Sequence, residues 1–463
     1  MLAHPFNPKF LVSLLLLLGI TSGSPGSYAA GPTLAIETPV QAPTHNFTLE
    51  QAVQRSQEID PWIVQSQFQQ ESLQAQSISR GSLPDPSVNF GIANLPVDSF
   101  DFAQERMTQF KVGVTQMLPR GQTLALNRKR FGRLSEVELA AQKNRSATVA
   151  VEVSHLWLDI FESQQITRMI ESDKRLFQYL IDISESSYAA GDSKARQSDV
   201  VRAQLELTRI EDRLLMSNRQ NDRLLAELNG WLVGIDSQSW HQINISDTIP
   251  DLIVRDQSLV ERQDVTRLYG YLVLHPAIVQ IEKRIAARAT GVALAKQSYK
   301  PQWGINASYG YRDNEPGGMD RPDLFSLNVS VDLPLFTANR QDKELQSATA
   351  NLEAVKTERA LALRQLTSQF LTAVASYKGL AERIELYKRR LLLQMTDQAE
   401  ASLSAYTHDD GEFAEAVRAR ISQLNARIEL MQLEVEFQKT IATLNYFLIA
   451  AQPPIVSSLG EVK

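Results

Sequence analysis

Four short stretches of the chain alternate apolar and polar residues, while the long tracts around them repeat apolar residues every three or four positions. In "SVNFGIA" (87–93), Val88, Phe90 and Ile92 share one face, opposite Asn89 and Gly91. In "MTQFKVGVTQML" (107–118), Phe110, Val112, Val114 and Leu118 oppose Lys111, Gly113 and Thr115. Further on, Trp303, Ile305, Ala307, Tyr309 and Tyr311 oppose Gly304, Asn306, Ser308 and Gly310. Leu327, Val329, Val331 and Leu333 then oppose Ser326, Asn328, Ser330 and Asp332. A period of two predicts β-strands, here two hairpins over 87–118 and 302–333 with the polar loops "NLPVDSFDFAQER" and "RDNEPGGMDRP" at their tips. Strands of about ten residues match the roughly 9–11 of a tilted transmembrane β-strand. An apolar face with aromatics, backed by Asn, Ser and Gly, suits lipid outside and a wet lumen inside. Two half-buried hairpins of a soluble sheet would give the same alternation.

The remaining tracts predict unusually long helices. Residues 133–190, 192–229, 335–378 and 412–452 contain neither Gly nor Pro. The first alone would extend roughly 87 Å as a helix. Leu424, Ile428, Met431, Leu433, Val435 and Phe437 follow helical spacing, with Gln, Arg and Glu between them. A narrow apolar stripe on a long polar helix indicates coiled-coil-like neighbours. Gly191 in "YAAGD" and Gly411 in "YTHDDGE" supply the backbone freedom that ends a helix, so they mark the tip turns. Before the first hairpin, Thr48 with Gln51 forms a capping-box pattern.

The chain says the same thing twice. "DPWIVQ" (60–65) returns as "HPAIVQ" (275–280), and a shift of 215 residues superposes Pro61 on Pro276, Pro86 on Pro301 and Pro119 on Pro334. "DVVRA" (199–203) returns as "EAVRA" (415–419) at a shift of 216. That period is far longer than the 20–50 residues of a solenoid repeat, so each half is a complete structural unit. The expected organisation is repeat one over 47–230, an irregular equatorial segment over 231–257, repeat two over 258–452 and a tail over 453–463. Each repeat reads helix, strand, strand, helix, helix: a mainly α fold with a small β part.

The N-terminal end reads as an address. Ten residues, "LVSLLLLLGI" (11–20), are too few to span a bilayer, and Ser27-Tyr28-Ala29 fits a small-x-small cleavage site. Residues 1–29 are therefore expected to be a secretory signal peptide, followed by a flexible lead over 30–46. An exported chain without an apolar helix can still cross a membrane as a closed barrel. Four strands are too few to close one, so several chains must pool theirs.

Composition narrows the chemistry. The 463 residues carry a net charge of −6, which gives no support to a nucleic-acid partner. There is no cysteine, so disulfides, thiolate metal sites and thiol catalysis are excluded. No P-loop, GxSxG, HExxH or dinucleotide fingerprint occurs. His45, His155, His241, His275 and His408 are scattered and never spaced i, i+4. The sequence predicts neither an enzyme nor a cofactor or metal site.

With the element order in hand, the chain resembles the TolC family of outer-membrane efflux channels over nearly all of its length. The duplicated order of elements, "HPAI" opening repeat two and "VDLPLFTANRQ" leaving the second hairpin carry the resemblance. It implies a homotrimer whose α-helical tunnel crosses the periplasm beneath a shared twelve-stranded β-barrel in the outer membrane. It also implies a periplasmic adaptor protein and an inner-membrane pump of the RND type as partners. The stretch "LPLFTANRQ" is nearest to the heavy-metal branch, many of whose members carry an N-terminal lipidated Cys that this chain lacks. Metal ions or small toxic compounds are the implied substrates. A type I protein-secretion duct and a periplasmic coiled-coil scaffold are the alternatives. In the family, acidic residues just after the second turn constrict the tunnel end. The matching stretch "FAEAVRAR" holds Glu415 and Arg418, and repeat one holds Asp199 and Arg202. Arg418 stands where the family has a second acid, so the ring is not purely acidic here. Solvated i, i+3 pairs would explain the same four residues.

Overall fold

The computed structural model describes residues 45–189, 197–233, 243–315, 317–408 and 412–451. The expected signal peptide, the tail over 453–463 and the tip glycines Gly191 and Gly411 lie outside the described residues. In chain order the elements are β1 (His45–Phe47), α1 (Leu49–Ile59), α2 (Pro61–Arg80), β2 (Ser87–Ala93) and β3 (Gln109–Leu118). Then come α3 (Thr123–Ala189), α4 (Gln197–Leu232), β4 (Ile243–Ile245), α5 (Gln257–Arg262), α6 (Val265–Val273) and α7 (Pro276–Ala295). The chain closes with β5 (Gln302–Tyr311), β6 (Leu324–Asp332), α8 (Gln341–Leu386), α9 (Leu392–Thr407) and α10 (Phe413–Phe447).

Local chemistry explains the boundaries. Thr48 and Gln51 exchange side-chain and backbone hydrogen bonds at 3.2 and 3.1 Å, closing a capping box ahead of α1. The hexapeptide pair opens α2 and α7, both 20 residues long with proline at the first turn. Proline costs nothing there, because its missing N–H would be unpaired anyway. The caps differ in chemistry. Asp60 accepts from Trp62 N at 3.0 Å and pairs with Arg145 Nε at 2.7 Å. His275 accepts from Ala277 N through Nδ1 at 3.2 Å, which leaves its Nε2–H to donate to the Tyr446 carbonyl at 3.1 Å.

Two of the long helices run beyond the glycine-free tracts. α3 has 67 residues and passes through Gly132, giving a rod of about 100 Å. α8 passes through Gly379 and continues into α9 by a five-residue π-helical turn at Tyr387–Leu391. A lone glycine costs a helix only about 1 kcal/mol, less than the packing on either side returns. The lead-in is shorter than expected: His45–Phe47 pair in parallel with Ile243–Ile245, so the end of the lead and the equatorial segment form one small sheet. α4 likewise extends to Leu232, into that segment.

The second sheet runs β2-β3-β5-β6, antiparallel throughout. Each strand continues into a helix, and α2, α3, α7 and α8 pack side by side in that same order. The wall is thus one layer, strand above and helix below. α1 packs on α3, and α6 on α7 and α8. Leu49 and Ala52 of α1 join Val149, Val153 and Ile160 of α3 in one core. Leu259, Leu268 and Leu272 of α5 and α6 join Leu363, Phe370 and Val374 of α8 in another. A third core ties Phe177 and Ile181 of α3 to Ala203 of α4 and Phe413 and Val417 of α10, near the far tip.

Candidate channel-forming surface

The register places most apolar residues of the four strands on one face, with Met117 and Leu324 on the other. Phe90, Val112, Tyr309 and Phe325 form one cross-strand row, and Val88, Val114, Ala307 and Leu327 the next. Among the described residues nothing covers this face: Phe90 is 70% exposed and Phe325 71%. Leu335 and Phe336, just past β6, are 73% and 91% exposed. An apolar patch of this extent on a water-soluble surface would be an aggregation liability. Ten residues rise roughly 34 Å, and at a tilt near 40° they cover about 26 Å, close to the ~25 Å apolar band of outer-membrane barrels.

The opposite face is polar and crowded. Asn89 and Asn306 both donate to Thr115 Oγ1, at 3.2 and 2.7 Å, and Asn328 donates to Asn306 Oδ1 at 3.5 Å. This ladder crosses all four strands at mid-height. A Cβ on Gly304 would sit 2.5 Å from Ser330 Oγ, and one on Gly310 would collide with Gln109 Oε1. Gly304 and Gly310 thus leave room for side chains of neighbouring strands. The edges of the sheet, β2 and β6, each have one strand neighbour among the described residues. Unpaired edges next to an apolar face invite further strands.

At the base of the sheet Arg120 ties the repeats together, pairing with Asp332 and donating to the Lys300 carbonyl at 2.5 Å. At the tips Arg321 of the second loop reaches into the first, donating to the carbonyls of Ala103 at 3.1 Å and Glu105 at 3.3 Å. Its side chain is only 9% exposed, and its Nε has no partner among the described residues. Below the sheet, Glu136 of α3 accepts from Lys283 of α7 at 2.8 Å. That bond, with Arg133 beside it, holds the Glu136 carboxyl below the usual carboxylate range against the opposing effect of burial.

The residues expected at the tunnel end stand at the starts of two helices. Asp199 is half-buried in the first turn of α4, with Arg202 exposed one turn on. Glu415 is exposed in the first turn of α10, and Arg418 is exposed with its Nε donating to its own helix at Ala414 O, 3.2 Å. The shared core of Ala203 with Phe413 and Val417 brings the two helix starts to the same end of the bundle. Among the described residues, no ion pair joins Asp199 to Arg202 or Glu415 to Arg418, so the i, i+3 pairing that sequence spacing allowed does not form. Sequence reasoning missed the Asn–Thr ladder, Arg120 and Arg321. The alternation signalled the first, since polar residues at strand positions must face something wet. Nothing in the spacing signalled the two arginines.

Among the described residues no helix is long and apolar enough to cross a membrane. The described residues combine an open sheet, apolar on one face, with long helices. Residues 268–448 match the family model described as outer membrane efflux protein. No curated protein is matched by the sequence. The structure is similar to that of a membrane protein from Pseudomonas aeruginosa, at 16% identity and a TM-score of 0.72, over 86% of this chain and 90% of that one. It is similar to the outer membrane protein VceC of Vibrio cholerae, at 17% identity and a TM-score of 0.64, over 87% and 95%. It is also similar to CusC, described as forming a transmembrane channel, at 13% identity and a TM-score of 0.68, over 86% and 91%. These likenesses extend over nearly the full length of each partner and establish the fold.

Proposed function

We propose that three copies of this chain form an outer-membrane efflux channel. β6 of each copy pairs with β2 of the next, giving a twelve-stranded barrel over an α-helical tunnel that enters the periplasm. The observation that carries this reading is the four-stranded sheet with two open edges and a bare apolar face. It is too small to close alone, and both edges and face are satisfied at once by a closed ring in lipid. The channel is a passive exit duct, fed by an inner-membrane pump of the RND type through a periplasmic adaptor. Metal ions or small toxic compounds are its cargo, a reading supported by the stretch leaving the second hairpin. Asp199, Arg202, Glu415 and Arg418 line its periplasmic end, and the turns at Gly191 and Gly411 form its tip. Purified protein added to planar lipid bilayers should give discrete conductance steps. A bilayer that stays silent while the protein is folded and inserted would contradict the channel.

A further inference from the structure

Just beneath the sheet, three neighbouring helices enclose a groove of about 580 Å³. Arg130 of α3, Arg288 of α7, and Arg340 and Lys343 at the start of α8 line it, with Glu344 the single carboxylate. Among the described residues none of these four cations forms an ion pair, although Lys343 donates to Gln346 at 3.1 Å. The contrast with the same helices one or two turns lower is sharp. There Lys283 is paired with Glu136, Arg284 with Glu358 and Arg359 with Glu282. The groove therefore holds three uncompensated positive charges per chain, and the first turn of α8 adds the positive end of its dipole.

Helical phase places the groove. On α3, Arg130 precedes Val153 by 23 residues, and at about 100° per residue it stands roughly 140° round the helix from it. On α8, Lys343 precedes Leu363 by 20 residues and stands roughly 160° round from it. Val153 lies in the core that α1 joins, and Leu363 in the core that α5 and α6 join. In the proposed ring those short helices are assigned to the outer side, which keeps the duct clear. The groove then opens on the inner side.

We infer that this groove is an anion-binding belt in the upper duct, recognising carboxylate-, sulfonate- or phosphate-bearing cargo. The inference rests on the trimeric channel proposed above and narrows its substrate class. Three copies place twelve cations and three carboxylates around one axis, in a confined space that focuses their field. A bare metal cation is disfavoured there, whereas an organic anion or a metal carried inside an anionic complex is drawn in. The planar guanidinium groups suit two-oxygen recognition of such anions.

Two measurements test the belt. In bilayers under a salt gradient the channel should prefer chloride over potassium. Replacing the four cations together (Arg130→Gln, Arg288→Gln, Arg340→Gln, Lys343→Gln) should lower that permeability ratio at least about threefold. Titration of the detergent-purified protein with pyrene trisulfonate should show saturable binding that weakens at least about tenfold in the variant and with rising salt. The milder pair Arg288→Gln/Lys343→Gln should give an intermediate loss of both, with unchanged thermal unfolding. Equal selectivity and equal dye binding in wild type and variants would overturn the belt. A protein that never conducts would instead overturn the channel, and dye titration of that same protein would still decide whether the groove binds anions.

Discussion

At the scale of single residues, two helix caps show how a duplicated scaffold diverges. Asp60 and His275 occupy equivalent positions before equivalent prolines, but one is an ion-pair partner and the other a neutral buried imidazole. Burial pushes the His275 pKa down to about 4, opposed in part by the hydrogen bond to the Tyr446 carbonyl. The ring is fully buried and packs edge-on against Tyr446 at 4.6 Å. An unfolded histidine titrates near 6.5, so the unfolded chain binds the extra proton first as pH falls. This contribution to stability is complete above about pH 6.5 and is lost on the way down to about pH 4, at most about 3 kcal/mol. His275→Asn keeps a cap acceptor and removes the titration. Thermal unfolding of wild type and variant should therefore converge between pH 7 and pH 4.5, with the variant less sensitive to acid. Parallel pH profiles would show that His275 is not the titrating cap. The shared cap position was readable from the two hexapeptides. The neutral state was not, because it comes from burial among residues far off in the chain, such as Tyr446, 171 residues away.

At the scale of elements, the strands were the most legible part of the chain. A period of two fixes which side chains share a face, and a one-residue slip would reverse it. The register observed keeps every expected apolar residue on one side. The helices were legible as helices but not in their limits, since α3 and α8 run beyond the glycine-free tracts, through Gly132 and Gly379. Whether a glycine ends a helix depends on what packs beyond it, and local sequence does not show that. The face assignment gives a direct prediction. Leu327→Arg puts a charge on the lipid side at a cost of about 2–4 kcal/mol near mid-membrane, whereas Ser326→Arg, one residue earlier, points into the lumen. Heat-resistant, membrane-extracted oligomer should be lost or sharply reduced for the first and retained for the second. Equal losses would contradict the assignment of faces. The loop clasp gives another. Arg321→Ala removes hydrogen bonds to two carbonyls of the neighbouring loop, so tags near Asp101 and Gly317, labelled from outside intact cells, should become more protease-sensitive. Labelling that requires permeabilised outer membranes would place both loops on the wrong side.

At the scale of the whole molecule, the two ends of the tunnel answer to different physics. In the proposed trimer the barrel end would be held by covered strand edges and lipid. The far end, near the Ala203–Phe413–Val417 core, presents charged residues that find no ion-pair partner within the described part of their own chain. In the proposed three-fold ring the neighbouring copies would supply those partners, and closure would be a balance between two packings of the helix tips. Replacing Arg202 and Arg418 together with Ser should raise single-channel conductance roughly twofold or more, as expected if these contacts bias a bistable tip. Unchanged conductance with intact oligomers would reduce them to ordinary surface charges. This end was the least legible in sequence, because a residue that acts across a symmetry axis leaves no spacing pattern in its own chain. The trimer itself underlies every claim about lumen, belt and gate. Native mass measurement of the detergent-solubilised protein tests it most directly: the account predicts a particle of three chains, and a monomer that stays soluble without detergent would contradict it.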